Sequence, residues 1–413
     1  MSPTDRRSFL HGAAGAAAAM ALQPAWSRFG RLQPGRAPVR VAVVGAGRQG
    51  RAILTELQKL EGVQVAAVCD AVAGRLRAGA RRAAGAAAFA DHRALLAEVK
   101  DLDAVLVATA TDAHRAVAVD AVTAGKHVYC EAPLAHTVAE ARAIARAARA
   151  GGKAFQVGLL ARSDPIYRLA WSFHRAGVLD RIVAARAQDH AKTSWRFPSE
   201  DPAAEAALNW RLDPARSAGL PGELGTHQFD VVDWFLGAYP VAVRGRGTVR
   251  VHADGRTLAD TAHCALRYQD GVELGWSATL GSSYEGRYEL LQGSMGAIRL
   301  AWTAGWLFKE ADAPTQGWEV YANRESFHDD EGITLIADAT KLAKQGKLRE
   351  GVSLPHPPLY YALVEFVNAI RAGTPVACSA EEGLRATVLG VAAQRAVLSG
   401  SEVAIDPKEL ELG

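Results

Sequence analysis

Short apolar runs alternate with segments of helical spacing through the first half of the chain. Residues 39–44, 63–69, 104–108, 127–130 and 154–158 are runs dominated by Val, Ala and Leu, the pattern of strands buried on both faces. Between them, residues 50–60, 73–84, 92–98, 113–124 and 137–150 carry the spacing of amphipathic helices. That alternation predicts a doubly wound parallel sheet with helices on both faces, and a ligand at the carboxyl ends of its strands. After Gly158 the period changes. Residues 165–177 read as a helix, and 181–189, 241–252, 260–268, 272–280, 286–291 and 297–301 as strands of a large, mainly antiparallel sheet. Tyr268-Gln-Asp-Gly271 is a hairpin signal and Leu291-Gln-Gly-Ser-Met-Gly296 a turn. Residues 355–371 and 381–398 are two late helices expected to pack back on the first domain. The chain thus reads as an α/β protein divided into 1–36, 37–158 and 159–413.

The first strand runs into Gly45-Ala-Gly47-Arg48-Gln49-Gly50 and then a helix. Strand, glycine turn and helix in that order suit a dinucleotide. Gly45 allows the tight turn, Gly47 lets backbone approach a diphosphate, and Gly50 allows the helix to pack closely on the strand, its N-terminus facing the anion. Alone, the glycines describe an ordinary turn. Here the second strand ends in Asp70, twenty residues beyond Gly50, where a carboxylate binds ribose hydroxyls. Asp70 would repel a 2′-phosphate, which favours NAD over NADP, although Arg75 is near in sequence. Thr109, closing the third strand, and His114, opening the next helix, fall on the nicotinamide side.

The N-terminal segment is a separate matter. Arg6-Arg7-Ser-Phe-Leu10 precedes an Ala-rich stretch to Leu22 and resembles a twin-arginine export signal. An exported, periplasmic enzyme follows, with Ala19-Met-Ala21 as a cleavage site or the uncleaved signal as a membrane anchor. The export machinery moves folded proteins, so a nucleotide cofactor should be held tightly and recycled. A formal net charge of +3 in 413 residues gives no reason to expect nucleic acid. Cys69, Cys130, Cys264 and Cys378 are scattered, with neither metal spacing nor a disulfide framework, so no metal is expected.

Gly125-Lys-His-Val-Tyr-Cys-Glu131-Ala132-Pro133 and Gly222-Glu223-Leu-Gly-Thr-His227-Gln-Phe-Asp230, together with the glycine turn and Phe366 to Gly373, resemble the Gfo/Idh/MocA superfamily over nearly all of the chain after residue 38. The resemblance implies a Rossmann domain that binds NAD through contacts including Glu131 and Pro133. It implies a second α/β domain whose open sheet supplies the substrate face and often a homo-oligomer interface. It also implies hydride transfer at a carbohydrate or polyol carbon. Family members align a Lys and a His near the reacting hydroxyl, with an Asp one turn before the His. Carried over, His227 is the acid/base and Glu223 takes the Asp position, four residues earlier, where it would orient the ring.

The family lysine is replaced by Ala132, and a methyl group neither donates a proton nor stabilises an alkoxide. Lys192, His190, Tyr167 and Tyr284 are candidates for its place. His227 acting alone is another solution. A third is redox-neutral glycoside cleavage, in which transient oxidation, elimination, hydration and re-reduction regenerate the cofactor. A nucleotide-binding protein without catalysis is the remaining class. Arg162, Tyr167, His190, Trp195, Trp210 and Arg211 are candidate substrate residues, since aromatic faces stack on sugar C–H groups and arginine forks bind hydroxyls. Core packing is the competing role for the two tryptophans.

Overall fold

The computed structural model describes residues 31–32, 37–315, 319, 324–327, 330–335 and 354–413. The paired arginines and the Ala-rich stretch lie outside them. The first domain runs β1 (Val39–Val44), α1 (Arg48–Leu57), β2 (Val63–Cys69), α2 (Ala73–Arg82), β3 (Ala87–Phe89), α3 (His92–Glu98), β4 (Ala104–Val107), α4 (His114–Thr123), β5 (His127–Cys130), α5 (Val138–Gly151) and β6 (Phe155–Val157). Its six strands pair in parallel in the order β3-β2-β1-β4-β5-β6. The order reverses between β1 and β4, which opens a crevice at their carboxyl ends. The strand β3 escaped the sequence pattern because it is three residues long and mostly alanine, with no apolar run to mark it.

Two glycines lock that crevice. Gly45 has φ +95°, and a Cβ there would sit 2.4 Å from the Ala108 carbonyl oxygen at the end of β4. A Cβ on Gly50 would sit 1.7 Å from the Gly45 carbonyl oxygen. No other residue allows β1, the turn, α1 and β4 to meet this closely.

The second domain contains α6 (Pro165–Arg175), β7 (Ile182–His190), α7 (Pro202–Leu208), α8 (Thr226–Leu236), β8 (Ala242–Thr248), β9 (Thr261–Arg267), β10 (Glu273–Thr279), β11 (Arg287–Gly293), β12 (Gly296–Ala301), β13 (Ala304–Lys309), β14 (Arg324–Phe327), β15 (Asp330–Thr334), α9 (Pro358–Ala372), α10 (Ala380–Ser399) and β16 (Val403–Ala404). Ten strands form one sheet in the order β14-β15-β13-β12-β11-β7-β10-β9-β8-β16. It is antiparallel except where β7 runs parallel to β10. The predicted strand 241–252 stops at Thr248. Beyond it the Asp260 carboxylate accepts the N–H groups of Arg250, Val251 and His252, each at 2.8 Å, so those donors leave the ladder.

Alternate side chains of the sheet, among them Leu266, Trp276, Leu291 and Ile298, are buried in one core with Tyr167, Phe229 and Val232 of α6 and α8. The late helices serve the first domain as well. Leu359, Leu363 and Phe366 of α9 join Val41, Val43 and Ile53. α10 opens with a capping box, Ser379 with Glu382, and runs for 20 residues. Its Leu384 and Val388 belong to the nucleotide-domain core, while Leu389, Ala393 and Ala396 belong to the sheet core.

Arg162, in the helical turn Leu160–Ser163 after β6, clasps these parts together. Its Nε donates to Asp230 Oδ2 at 2.9 Å and its Nη2 to Asp230 Oδ1 at 2.8 Å, while Nη1 lies 3.5 Å from Glu382 Oε1. The guanidinium carbon lies 5.0 Å from the Trp234 ring centroid. The expected sugar-binding role of Arg162 is thereby corrected: its fork is occupied by a buried carboxylate. Replacing it by Ala leaves Asp230 buried without its partner and should cost about 3–5 kcal/mol. The double change Arg162→Met with Asp230→Leu should recover most of that loss. Urea unfolding checks both, and a single-variant loss well under about 1 kcal/mol would deny the clasp its role.

Candidate active site

No side chain caps the N-terminus of α1, so its first-turn N–H groups face the crevice. A Cβ on Gly47 would meet nothing within 4 Å. The protein itself therefore makes no demand for glycine there, and an adenine dinucleotide whose diphosphate rests on the backbone does. The residues present fit that cofactor. Asp70 Oδ2 accepts the Ala46 N–H at 2.7 Å and Oδ1 the Val72 N–H at 2.8 Å. The carboxylate is pinned beside the glycine turn, and each oxygen keeps a lone pair for a ribose hydroxyl. Arg48 is exposed at the start of α1. Gln49 Nε2 donates to Glu131 Oε1 at 2.9 Å, tying α1 to the end of β5. Burial pushes the Glu131 carboxyl up to about 7. His114 is buried and its Nδ1 donates to the Pro133 carbonyl at 3.0 Å, while the Thr109 hydroxyl donates to the Ala110 carbonyl at 3.2 Å. His114 thus holds the turn that follows Ala132.

Opposite this cleft the chain makes a π-helical turn, Pro221–Gly225, directly before α8. Such turns widen the helix and re-aim side chains. Glu223 and His227 do not hydrogen-bond, which corrects the expectation that Glu223 orients the ring. Instead Glu223 Oε2 accepts the Thr111 hydroxyl at 3.2 Å and Oε1 the Ser217 hydroxyl at 3.3 Å, with Arg211 Nε 3.7 Å away. The physical reason is the π-turn, in which a spacing of four no longer aligns two side chains on one face. Glu223 instead joins the second domain to the Thr111 turn of the first. His227 stands alone as an imidazole. Burial, then Arg287, then Arg211, push it down to about 3, so it is a neutral base at physiological pH.

The other candidates separate. The Arg211 guanidinium lies 4.8 Å from the Trp210 ring centroid and 5.3 Å from that of Trp195. Trp210 is buried, and Trp195 packs against the sheet core at a positive φ of 60°. Tyr167 is turned into the core by the phase of α6, and its hydroxyl donates to Glu289 Oε2 at 2.5 Å; it has no access to a substrate. His190 is corrected by strand parity. On β7, Ala185, Ala187 and Asp189 alternate on the helix-covered face, and His190 points to the other one, where its Nε2 meets the Ser277 hydroxyl at 3.0 Å. The Lys192 side chain is exposed, bonded to none of these groups, and Tyr284 is 78 % exposed. Neither replaces the missing lysine in this arrangement.

Sequence reasoning missed the residues that share the face of His227. Asp189 pairs in register with Arg287, and Ala187 with Glu289. Arg287 Nε lies 4.0 Å from Asp189 Oδ2 and 3.8 Å from Glu289 Oε1, with the guanidinium 4.1 Å over the Trp302 ring. Burial holds the Asp189 and Glu289 carboxyls above the usual range, against the pull of Arg287. The period-two spacing of Ala185, Ala187 and Asp189 was the signal for Asp189. Arg287 gave none, because its place depends on pairing with a strand about a hundred residues away.

A folded imidazole that does not protonate until about pH 3 changes two observables. The ring resonances of His227 should stay those of a neutral imidazole between about pH 5 and 8, where an ordinary histidine titrates. The unfolded imidazole does protonate there, so this group's contribution to stability is full above about pH 6.5 and falls as the pH drops toward 3. NMR titration of a His227-assigned sample checks the first point. A midpoint near the ordinary value would remove the two-arginine environment.

Comparison with known proteins agrees with this geometry. Residues 39–159 match the Gfo/Idh/MocA description "Oxidoreductase family, NAD-binding Rossmann fold", and residues 175–405 match "Oxidoreductase family, C-terminal alpha/beta domain". The chain is 28% identical to Inositol 2-dehydrogenase 1 of Saccharopolyspora erythraea over 375 residues, covering 89% of this chain and 96% of that protein. Inositol 2-dehydrogenase 2 of the same organism is 31% identical over 268 residues, 63% of this chain and 73% of its own. Levoglucosan dehydrogenase in complex with NADH and levoglucosan shares the fold, with a TM-score of 0.71 at 19% identity over 89% of this chain and 99% of its own. An oxidoreductase domain protein from Kribbella flavida does so with a TM-score of 0.71 at 23% identity, over 90% of this chain and 100% of its own. A glycine turn without a cap, a neutral histidine in the second domain and both matched domains lead to one conclusion: the chain belongs to the Gfo/Idh/MocA oxidoreductases, with an NAD-binding Rossmann domain followed by the family's C-terminal α/β domain.

Proposed function

We propose that this protein transfers hydride reversibly between NAD and a carbon of a carbohydrate or polyol, with His227 as the base. The observation that carries this is the neutral imidazole of His227, four residues after a Glu223 whose carboxylate accepts the Thr111 hydroxyl of the nucleotide domain. The similarity to inositol 2-dehydrogenases and the fold shared with levoglucosan dehydrogenase support the substrate class.

Bound at the glycine turn, NAD supplies the hydride acceptor. The chain's own residues do the rest. Gly45, Gly47, Gly50 and the α1 N-terminus would hold the diphosphate and Asp70 the ribose, with the Glu131–Pro133 turn closing the nicotinamide side. A carbinol loses hydride only as its oxygen gives up a proton. His227 takes that proton, and burial, aided by Arg287 and Arg211, keeps it deprotonated beforehand. Arg211, ordered over the Trp210 and Trp195 rings and part-exposed, is the residue of this group that can meet sugar hydroxyls.

Ala132 favours a second reading, redox-neutral glycoside cleavage on the same NAD. The two differ in net redox. Purified protein with NAD and myo-inositol or levoglucosan should produce net NADH absorbance, faster than with NADP, and His227→Ala should lower turnover by about 10²-fold or more while NAD binding persists. Release of nitrophenol from a nitrophenyl glycoside without net NADH would transfer the assignment to the cleavage reading. NAD binding with neither reaction would leave a binding protein.

We infer export by the twin-arginine route to the periplasm, on the strength of Arg6-Arg7-Ser-Phe-Leu10 and the Ala-rich stretch after it. We also infer a homo-oligomer. One face of the large sheet carries α6, α8 and α10, and the other presents Val183, Arg186, Arg244, His263 and Glu273 to solvent. Changing both arginines of the pair to Lys should retain the protein in the cytoplasm, and sedimentation velocity of the purified protein should exceed the value for one 43.8 kDa chain.

A further inference from the structure

We propose that Arg287 is the cationic ligand of the reacting hydroxyl, taking the place left vacant by Ala132. The inference rests on His227 being the base of the reaction. Four observations place Arg287 there. First, register and parity put it on the helix-covered face of the sheet beside Asp189 and Glu289. Second, α8 is fixed over that same stretch. Gln228, adjacent to His227, shares the two hydrogens of its Nε2 among the Gln188 carbonyl, the Tyr288 carbonyl and Glu289 Oε1, each 2.9 Å away. His227 is thereby held above the strand ends that carry Asp189 and Arg287.

Third, the Arg287 Nε is buried and has no hydrogen-bond partner. Asp189 and Glu289 lie at 4.0 and 3.8 Å from it, beyond hydrogen-bond reach but close enough to keep the charge in place. Nε is thus sequestered between two flanking carboxylates, and the exposed remainder of the guanidinium is the part left to take an oxygen that arrives with the substrate. Fourth, the other cations are unsuited. Lys192 is exposed, Arg162 is occupied by Asp230, and Arg211 is 44% exposed and already faces Glu223. Arg287 is 19% exposed and stacked 4.1 Å over Trp302, so its guanidinium is ordered before substrate binds.

The step balances without a further reactant. The carbinol carbon gives hydride to the nicotinamide, the hydroxyl proton passes to the His227 imidazole, and the C–O bond becomes C=O. Arg287 transfers no atom. Its N–H bond to the oxygen strengthens as negative charge gathers there, which is the condition for accelerating the reaction rather than merely binding the alcohol. The cation of this site therefore comes from the second domain, on β11, and not from the turn after β5.

Arg287→Ala should lower kcat/KM for myo-inositol or levoglucosan by about 10²-fold. NADH binding, followed by fluorescence titration, should stay within roughly a factor of two of wild type, a difference of about 0.4 kcal/mol. Millimolar guanidinium should restore roughly tenfold of the loss, and the double variant Ala132→Lys with Arg287→Ala should recover activity that the single variant lacks. Neither rescue is expected of a residue that only supports the fold. Independently of turnover, the His227 NMR midpoint in nucleotide-free protein should rise in Arg287→Ala, and Arg287→Lys should give an intermediate value. A wild type that turns over both polyols while Arg287→Ala is unaffected, or is affected with no rescue, overturns the proposal alone. So does a His227 midpoint that does not move. A wild type inactive on both polyols overturns the parent reading and this one with it.

Discussion

The Arg162–Asp230 pair governs the geometry of everything else. Asp230 lies three residues beyond His227 on α8, so the bidentate grip on its carboxylate sets the rotation of the helix that carries His227. The grip comes from the turn that leaves the nucleotide domain, and Glu382 of α10 supports it. A single buried cation therefore coordinates three elements from both halves of the chain. Burial raises the stakes of the arrangement: Asp230 and Arg162 are each costly to bury alone and tolerable only together.

Given that frame, the site divides its work by domain. The first domain offers backbone: an uncapped helix, an open position at Gly47 and carboxylates pinned at Asp70 and Glu131. The second offers charge and proton affinity: a neutral imidazole between two guanidinium groups, one stacked on Trp302 and the other on Trp210 and Trp195. Glu223, bonded to Thr111, is the hinge-pin between them rather than a partner of His227. An alanine at position 132 is tolerable in such a site because positive charge reaches the reacting oxygen from the sheet side.

How far the sequence could be read follows from which signals are local. Continuous apolar runs marked β1, β2, β4, β5 and β6, and the glycine turn marked the crevice, because each depends on residues within one short window. The ends of α10, expected at 381 and 398, were legible within about a residue for the same reason. The failures are non-local. Tyr167, Arg162 and His190 all sit near the site in sequence logic, yet helix phase, a carboxylate 68 residues away and strand parity send them elsewhere. The π-turn at Pro221–Gly225 leaves no sequence mark, so the spacing of Glu223 and His227 suggested a contact that the backbone does not allow. Asp189 was marked by the spacing within its own strand, but Arg287 meant nothing until β11 was paired with β7.

Consider finally α10, whose first half belongs to one core and whose second half belongs to the other. A chain whose last long helix is shared between two lobes cannot be dismantled into interchangeable modules. Grafting a foreign nucleotide domain onto this sheet would require remaking one side of that helix as well. Evolution within such an architecture is pushed toward altering strand ends and loops, and away from shuffling whole halves. Thermal melting should accordingly be a single cooperative event, because neither lobe retains a finished interior once the common helix departs.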